Sequence, residues 1–181
     1  MKREISSHFK LPMDKITTIP NASNQEKFEF SVDRKSIRQR YVMPHEKLVL
    51  FVGRLTPQKG VEYLIQAVPY ILHRHPDAKF VIVGEGWLRD SLEHQALSIR
   101  LPEKIFFTGF LSERELMEII VCADMLVLPS IYEPFGIVAL EGLAAGTPVV
   151  ASNTDGLAEI IRHDELGVLV YPRNPKSIVW G

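Results

Sequence analysis

The hydrophobic pattern divides most of the chain into short apolar runs and longer segments with apolar residues at helical spacing. Continuous apolar runs rich in valine, isoleucine, leucine and phenylalanine are typical of strands that are covered on both faces of a sheet. The sequence therefore predicts buried strands at KLVLFVG, AKFVIVG, KIFFTG, DMLVLPS, TPVVAS and LGVLVYP.

The segments between these runs have the spacing of helices. They read GVEYLIQAVPYILHRH, GWLRDSLEHQALSIR, SERELMEIIVCA, FGIVALEGLAA and DGLAEIIRHD. Alternation of strands and helices favours right-handed crossovers and a parallel sheet, so the predicted fold class is α/β with a Rossmann-like, doubly wound sheet. Ligands of such sheets bind beyond the carboxyl ends of the strands, and the loops that follow strands are therefore the candidate functional regions.

The two ends of the chain are less regular. Before residue 47, DKITTIP can form one strand and DRKSIRQRYV a helix, with a loop-like segment between them. The final segment begins like a helix, with Asn174 as a possible cap and Pro175 at the first helical position. A helix this short is not stable alone, so we expect apolar surface at Ile178, Val179 and Trp180 and a chain that is a fragment without its last helices.

Composition narrows the functional classes. The chain has 181 residues, 46% of them hydrophobic, and a net charge of −1, so it can bury a core and has no basic stretch for nucleic acid. Its single cysteine, Cys122, excludes an internal disulfide and a cysteine-cluster metal site. No apolar run reaches the roughly 18 residues of a membrane span, and the first residues lack the apolar core of a signal peptide, so we expect a cytoplasmic protein.

The loop GRLTPQKG follows the first predicted strand. Gly53 allows a close turn, and Arg54 and Lys59 place two cations at the strand exit, where a helix beginning near Gly60 adds its own positive end. Cations, free amides and glycines together suit a phosphate group, although the spacing differs from that of a P-loop. A solvated turn with surface arginine and lysine is the alternative.

A second candidate segment, EPFGIVALE, follows the fourth predicted strand. Glu141 lies in an apolar helix, and a buried glutamate requires a cation or hydroxyl donors. Two interpretations stay open: an ion pair with Arg54 or Lys59, or acceptance of two adjacent ribose hydroxyls. Gly136, where the helix should start, offers exposed amides, and Glu133 precedes a proline that favours extended backbone.

The other loops carry weaker signals. VGEGWLRD resembles the opening of a dinucleotide fingerprint, but Arg89 stands where the third glycine should be, so tight packing explains its glycines better. In SNTDGLAEII, Thr154 or Asp155 can cap a helix that starts near Gly156. The sequence contains neither the acidic pair that usually holds a metal on a diphosphate nor a G-x-S-x-G nucleophile elbow.

GRLTPQKG and EPFGIVALE together resemble the donor-binding domain of retaining glycosyltransferases of the GT-B fold, the group 1 enzymes that include glycogen and starch synthases. Two glutamates separated by seven residues match Glu133 and Glu141. The pattern G-R-x-x-x-x-K-G is matched at its fixed positions by Gly53, Arg54, Lys59 and Gly60. The likeness covers roughly residues 12–175, in the order of the family's segments.

The resemblance implies a role for each matched position. Arg54 and Lys59 would hold the diphosphate of a UDP-, ADP- or GDP-sugar and stabilise it as leaving group, which with Glu133 makes them the catalytic candidates. Glu141 would accept the ribose hydroxyls, and Glu133 would lie by the sugar. The remaining donor-binding candidates are Gly53, Gly84, Phe107 and Thr108, the last three beside the base, and the backbone amides of Phe135, Gly136 and Ile137.

The reaction so implied is glycosyl transfer to the hydroxyl of a saccharide or lipid acceptor with retained anomeric configuration. The resemblance implies no metal and no cofactor, since two cations and a helix terminus can replace a metal. Of the two mechanisms that stay open, a covalent intermediate on Glu133 or front-face attack assisted by the departing phosphate, we favour the second.

The resemblance also divides the chain into two parts. Residues 1–30 would be a linker from a missing N-terminal domain with the first strand or loop, and residues 31–181 the donor-binding domain. Because the acceptor domain would be missing, we expect the fragment alone to be inactive. The chain departs from the family at PNAS, where asparagine-glycine is usual, and at Asp155, where a glycine pair is usual.

Three other functions stay open. The chain could be a non-catalytic binding or assembly module that uses the apolar surface near Trp180. A nucleotide-sugar epimerase of the same fold would require its own acid and base in the cleft, and none is patterned here. A dinucleotide oxidoreductase is the least favoured, because the glycine fingerprint is incomplete.

Overall fold

A computed structural model describes residues 2–17, 19, 22, 24–28 and 30–181. Its centre is a parallel sheet of six strands in the order β3-β2-β1-β4-β5-β6. The strands are β1 (Lys47–Val52), β2 (Ala78–Val83), β3 (Ile105–Gly109), β4 (Met125–Leu128), β5 (Val149–Ser152) and β6 (Val168–Val170). All six predicted strands are present and every pairing is parallel, so the α/β, Rossmann-like prediction is confirmed.

Helices precede, connect and follow the strands. They are α1 (Lys2–Phe9), α2 (Arg34–Gln39), α3 (Val61–Arg74), α4 (Arg89–Ser98), α5 (Glu113–Cys122), α6 (Ile137–Ala144), α7 (Asp155–Ile160) and α8 (Pro175–Trp180). Short 3₁₀ helices lie at Met13–Lys15, Gln25–Phe28, Pro57–Lys59 and Pro102–Lys104. In the described part of the chain, none of the helices combines the length and the apolar character needed to cross a membrane.

The core lies on both faces of the sheet because successive residues of a strand point to opposite sides. Phe51 of β1 packs in the cluster that contains Leu64 and Ile65 of α3. Leu50, the preceding residue, packs in the opposite cluster with Ile119 and Ile120 of α5. All of these side chains are fully buried. The strand order reverses between β1 and β4, which leaves a crevice at their carboxyl ends where sheets of this kind bind ligands.

Several predictions about the ends of the chain require correction. The strand predicted at DKITTIP is wrong for its described residues, because Asp14 and Lys15 belong to a 3₁₀ helix and no strand follows; Thr18 and Pro20 lie outside the described residues. Helix α1 was not predicted, and none of its residues is buried. The helix at DRKSIRQRYV is present as α2, and the division of the chain at residue 30 stays a prediction.

The final helix α8 packs against the core more closely than its length suggested. Its N-cap is the predicted one: the Asn174 side chain accepts a hydrogen bond from the Ser177 amide at 3.1 Å. Ile178 is only 5% exposed and packs into the cluster below α3, so the expected exposure of this residue is wrong. Trp180 is 69% exposed, as expected. Helix α7 is shorter than predicted because the backbone becomes extended at Ile161, whose side chain is buried.

One buried carboxylate ties together the amino-terminal ends of β1, β2 and β3. Glu46 accepts hydrogen bonds from the Met43 amide at 3.0 Å and from Lys104 Nζ at 2.9 Å, and Lys79 Nζ lies 4.0 Å away. Burial alone raises the pKa of Glu46, but these hydrogen bonds and the two ammonium charges outweigh it and leave the pKa below its ordinary value. Glu46 therefore stabilises the edge of the sheet opposite to the crevice.

Candidate functional site

A cavity of about 360 Å³ lies at the carboxyl ends of β1 and β4. Six of the predicted site residues line it: Arg54, Lys59, Glu133, Phe135, Gly136 and Ile137. Two larger cavities, of about 650 and 590 Å³, lie around Tyr171 and Trp180 and near the last residue, and no predicted site residue lines either of them. The crevice is therefore the place where the tertiary structure concentrates the predicted chemistry.

The loop after β1 is shaped by close backbone contacts. Gly60, the residue before α3, has a φ of +63°, and a Cβ there would lie 2.2 Å from the carbonyl oxygen of Pro129. Only glycine fits this approach, which brings the start of α3 against the end of β4. The 3₁₀ turn Pro57–Lys59 aims Lys59 into the cavity. The Arg54 side chain is exposed and forms no hydrogen bond or ion pair with any described residue.

Lys59 forms an ion pair with Glu133 across the crevice. The two side chains are 20% and 16% exposed, and the Ser130 hydroxyl lies 3.4 Å from the same carboxylate oxygen. The pair joins the loop after β1 to the loop after β4. In the ligand-free chain, Glu133 therefore neutralises one of the two cations that line the cavity, while the Arg54 guanidinium stays free of charged partners in the described chain.

Glu141 lies outside the lining of this cavity. It is half-buried on α6 and forms no ion pair with Arg54 or Lys59, so the ion-pair interpretation of this residue is wrong. Burial raises the pKa of Glu141; the charge of Lys27 offsets this in part, and that of Glu113 adds to it. A carboxylate that the fold leaves poorly compensated retains its capacity to accept hydrogen bonds from a ligand.

Of the three residues predicted to lie beside the base, Gly84 borders the loop after β1. Gly84 has a φ of +130°, donates its amide to the carbonyl oxygen of Gly109 at 2.9 Å, and lies so close to Gly53 that a Cβ would be 2.0 Å from its carbonyl oxygen. Phe107 and Thr108 are half-buried at the end of β3, and the Thr108 hydroxyl donates to Gly109. Their contact with a base stays a prediction.

A third loop, between β5 and α7, also contacts this site, and few features of the sequence indicated it. Thr154 does not cap α7 with its side chain; its hydroxyl lies 3.2 Å from the carbonyl oxygen of Ile131, and the Gly156 amide donates to the carbonyl oxygen of Glu133 at 2.9 Å. The carbonyl oxygen of Gln58 accepts from the Ile131 amide at 2.7 Å. Thr154 therefore occupies the predicted N-cap position of α7 without a capping bond from its side chain, and the only signal in the sequence for its contact with Ile131 was the Thr-Asp-Gly turn.

No group of three or more histidine, cysteine, aspartate or glutamate side chains that could hold a metal ion occurs in the described residues. The free Cys122 is buried in the core, where burial raises the pKa of its thiol. Among the described residues, the polar groups at the crevice include two cations, one carboxylate that pairs with one of them, the Ser130 hydroxyl and backbone amides at the start of α6.

A sequence model of the family described as glycosyl transferases group 1 matches residues 33–181. The chain belongs to this family. An uncharacterised glycosyltransferase of Methanocaldococcus jannaschii is 48% identical over 188 residues, covering 100% of this chain and 47% of the relative. The glycogen synthase of Mycobacterium tuberculosis is 40% identical over 174 residues, covering 96% of this chain and 40% of the relative. The group 1 chain thus spans less than half the length of these relatives.

Solved structures agree with this assignment. Anabaena HepE, crystallised with UDP, has a TM-score of 0.85 at 24% identity and covers 96% of this chain, which covers 48% of HepE. The C-terminal domain of the group 1 protein LpcC from Francisella tularensis has a TM-score of 0.77 at 29% identity, with 87% of this chain and 84% of that domain covered. The fold of this chain is therefore that of one domain of a GT-B glycosyltransferase.

Proposed function

We propose that this chain is the donor-binding domain of a retaining glycosyltransferase, which binds a nucleotide-diphosphate sugar for transfer to an acceptor hydroxyl. The observation that carries the proposal is the cavity between β1 and β4, where Arg54 and Lys59 meet Glu133 and the start of α6. Charged donors and free helix amides are the groups that bind a diphosphate. Crystal structures of the similar HepE with UDP and UDP-glucose support this class of ligand.

In this proposal the donor lies across the crevice. The diphosphate contacts Arg54 and Lys59, so its arrival competes with Glu133 for the Lys59 ammonium and releases the carboxylate toward the sugar. The amides of Gly136 and Ile137 face the sugar or the phosphate, and Glu141 accepts the ribose hydroxyls. The 40% identity to a glycogen synthase favours a glucosyl donor.

Leaving-group stabilisation is the chemical role of this domain. As the bond between the anomeric carbon and the phosphate oxygen breaks, negative charge develops on the β-phosphate beside Arg54 and Lys59, which stabilise it without a metal ion. The acceptor oxygen attacks the same face of the sugar and transfers its proton to the departing phosphate, so the configuration is retained. The acceptor groups and the closure that excludes water belong to a second domain, and this chain alone is inactive.

Calorimetric titration of the chain with UDP, ADP and GDP tests the proposal. We expect one diphosphate to bind, and Arg54→Met to lower its affinity about tenfold because a charge-assisted contact to phosphate is lost. Arg40→Met, at an exposed arginine outside the cavity, is the matched control and should bind as the parent does. Absence of binding to all three nucleotides, or an Arg54→Met variant with parental affinity, would contradict the proposal.

The Glu141→Gln variant distinguishes a contact with the ribose from a contact with the diphosphate. We expect it to bind the preferred nucleotide about tenfold more weakly, but the 2′,3′-dideoxy nucleotide as well as the parent does, because only the ribose hydroxyls require the carboxylate. Glu159→Gln, an exposed glutamate on α7, is the control. Equal losses for both nucleotides would show that Glu141 does not contact the ribose.

The same variant should be at least as stable as the parent at neutral pH. Because burial raises the pKa of Glu141, its contribution to stability is present below the pKa of the unfolded chain and is lost as the pH rises through the folded pKa. The stability advantage of Glu141→Gln should therefore grow with pH across the acidic range, which thermal unfolding at several pH values can measure.

A further inference from the structure

The loop between β5 and α7 contacts the backbone before Glu133 and at Glu133 itself. Before Glu133, the carbonyl oxygen of Ile131 lies 3.2 Å from the Thr154 hydroxyl. At Glu133 itself, the carbonyl oxygen accepts from the Gly156 amide at 2.9 Å. With the carbonyl oxygen of Gln58 accepting from the Ile131 amide, the segment that carries Glu133 is held between the loops after β1 and β5.

Gly156 approaches the same segment so closely that no side chain fits. A Cβ at Gly156 would lie 2.3 Å from Cα and 2.4 Å from the carbonyl oxygen of Phe135, which are backbone atoms that cannot rotate away. Gly136, which follows Phe135, has a φ of +95°, and a Cβ at Gly136 would lie 2.7 Å from the Leu157 side chain. The start of α7 therefore sets where the backbone turns into α6.

The loop holds this position in a strained conformation. Asp155 has a φ of +37°, a left-handed conformation that non-glycine residues rarely adopt. The Asp155 carboxylate lies 2.9 Å from the Thr154 hydroxyl. The hydroxyl has a single proton, for which this carboxylate and the carbonyl oxygen of Ile131 are the two acceptors. Strain of this kind persists only where the surrounding contacts determine the backbone, and the contacts to Ile131 and Glu133 are among those that hold this loop.

We propose that Thr154 and Gly156 are positioning residues that fix Glu133 and the amides after it against the sugar of a bound donor. This inference rests on the function proposed above. Neither residue lines the cavity, so both act through the backbone of the segment that carries Glu133. Substitution of either residue should therefore change the affinity for the sugar part of the donor rather than for the diphosphate, which Arg54 and Lys59 bind from the loop after β1.

The test compares two affinities in each variant, one for the preferred nucleoside diphosphate and one for its glucose conjugate. Thr154→Val removes the hydroxyl with little change in shape, and we expect it to lower the affinity for the conjugate about fivefold relative to the diphosphate. Thr154→Ser keeps the hydroxyl and should restore the parental ratio. Gly156→Ala, if it folds, should shift the ratio further because the Phe135 backbone must move.

Matched controls distinguish positioning from a general loss of stability. Thr147→Val removes a buried hydroxyl that donates to the Ile120 carbonyl at 2.6 Å, and Gly167→Ala places a Cβ 2.5 Å from the Val149 carbonyl oxygen, both outside the crevice. These variants should unfold more easily while the ratio of affinities stays parental. An equal shift of the ratio in Thr147→Val would overturn the proposal.

Amide hydrogen exchange measures the contacts between the Thr154 loop and the segment of Glu133 in the absence of a ligand. Thr154→Val should speed exchange at the Ile131 and Gly156 amides, whereas Thr147→Val should not. The positioning role is overturned, and the proposed function is not, if Thr154→Val leaves amide exchange unchanged. The same holds if a Thr154→Val chain that binds the nucleotide keeps the parental ratio of affinities. A parent chain that binds no nucleotide overturns the proposed function and the positioning against a sugar with it.

Discussion

Replacing Lys59 with methionine should lower the affinity for the preferred nucleoside diphosphate about 10- to 100-fold. The ammonium lies in the cavity between β1 and β4, and a hydrogen bond between two charged groups in a partly buried site is among the stronger single contacts in a protein. Methionine keeps the length and apolar stem of the side chain, so the loss reports the charge. Calorimetric titration at physiological ionic strength measures it.

Glu133→Gln should change the same affinity in the opposite direction. Glu133 neutralises Lys59 in the free chain, and its removal frees the ammonium for phosphate and deletes a negative charge beside it. We expect tighter binding of the diphosphate by about two- to fivefold, the magnitude of a partly exposed ion pair. Lys35→Met, at an exposed lysine of α2, is the control for Lys59→Met and should leave the affinity for the diphosphate unchanged. A Lys59→Met variant with parental affinity, or weaker binding by Glu133→Gln, would contradict the assignment of the diphosphate to Lys59.

Glu46→Gln should lower the free energy of unfolding at neutral pH by about 2 kcal/mol, because it removes a charged acceptor and leaves two lysines without their counterion. Glu46 is 7% exposed, and the side chains of Lys104 and Lys79 are 18% and 21% exposed, so water compensates only part of the loss. Urea unfolding measures the difference. Glu103→Gln, at the exposed glutamate next to Lys104, should be neutral.

The pH dependence of this effect follows from the lowered pKa of Glu46. A carboxyl whose folded pKa lies below its unfolded value contributes stability that is present above the unfolded pKa and is lost as the pH falls through the folded pKa. The difference between parent and Glu46→Gln should therefore shrink as the pH falls below about 4, the ordinary pKa of a glutamate. A difference that stays constant into strong acid would assign the effect to packing rather than to charge.

The sequence predicted the elements between residues 47 and 181 because the information for them is local. Each strand of the sheet is a short apolar run, and each helix between them has apolar positions three and four residues apart. Local information failed at DKITTIP, which has the composition of a strand but whose described residues have no neighbouring strand to pair with. Burial of Ile178 likewise depended on α3, more than a hundred residues earlier in the chain.

The order of strands and helices, the loops at the carboxyl edge and the residue types that those loops bring to the crevice can all be inferred from the sequence. The partner of each of these residues depends on how the elements pack. Lys59 pairs with Glu133 rather than Glu141 because β1 lies beside β4 and Glu133 stands in the loop directly after β4, whereas Glu141 lies outside the lining of the cavity. Thr154 contacts Ile131 for a similar reason. Such contacts join residues far apart in the chain, each worth only about 1 kcal/mol, and the packing of the whole sheet selects them.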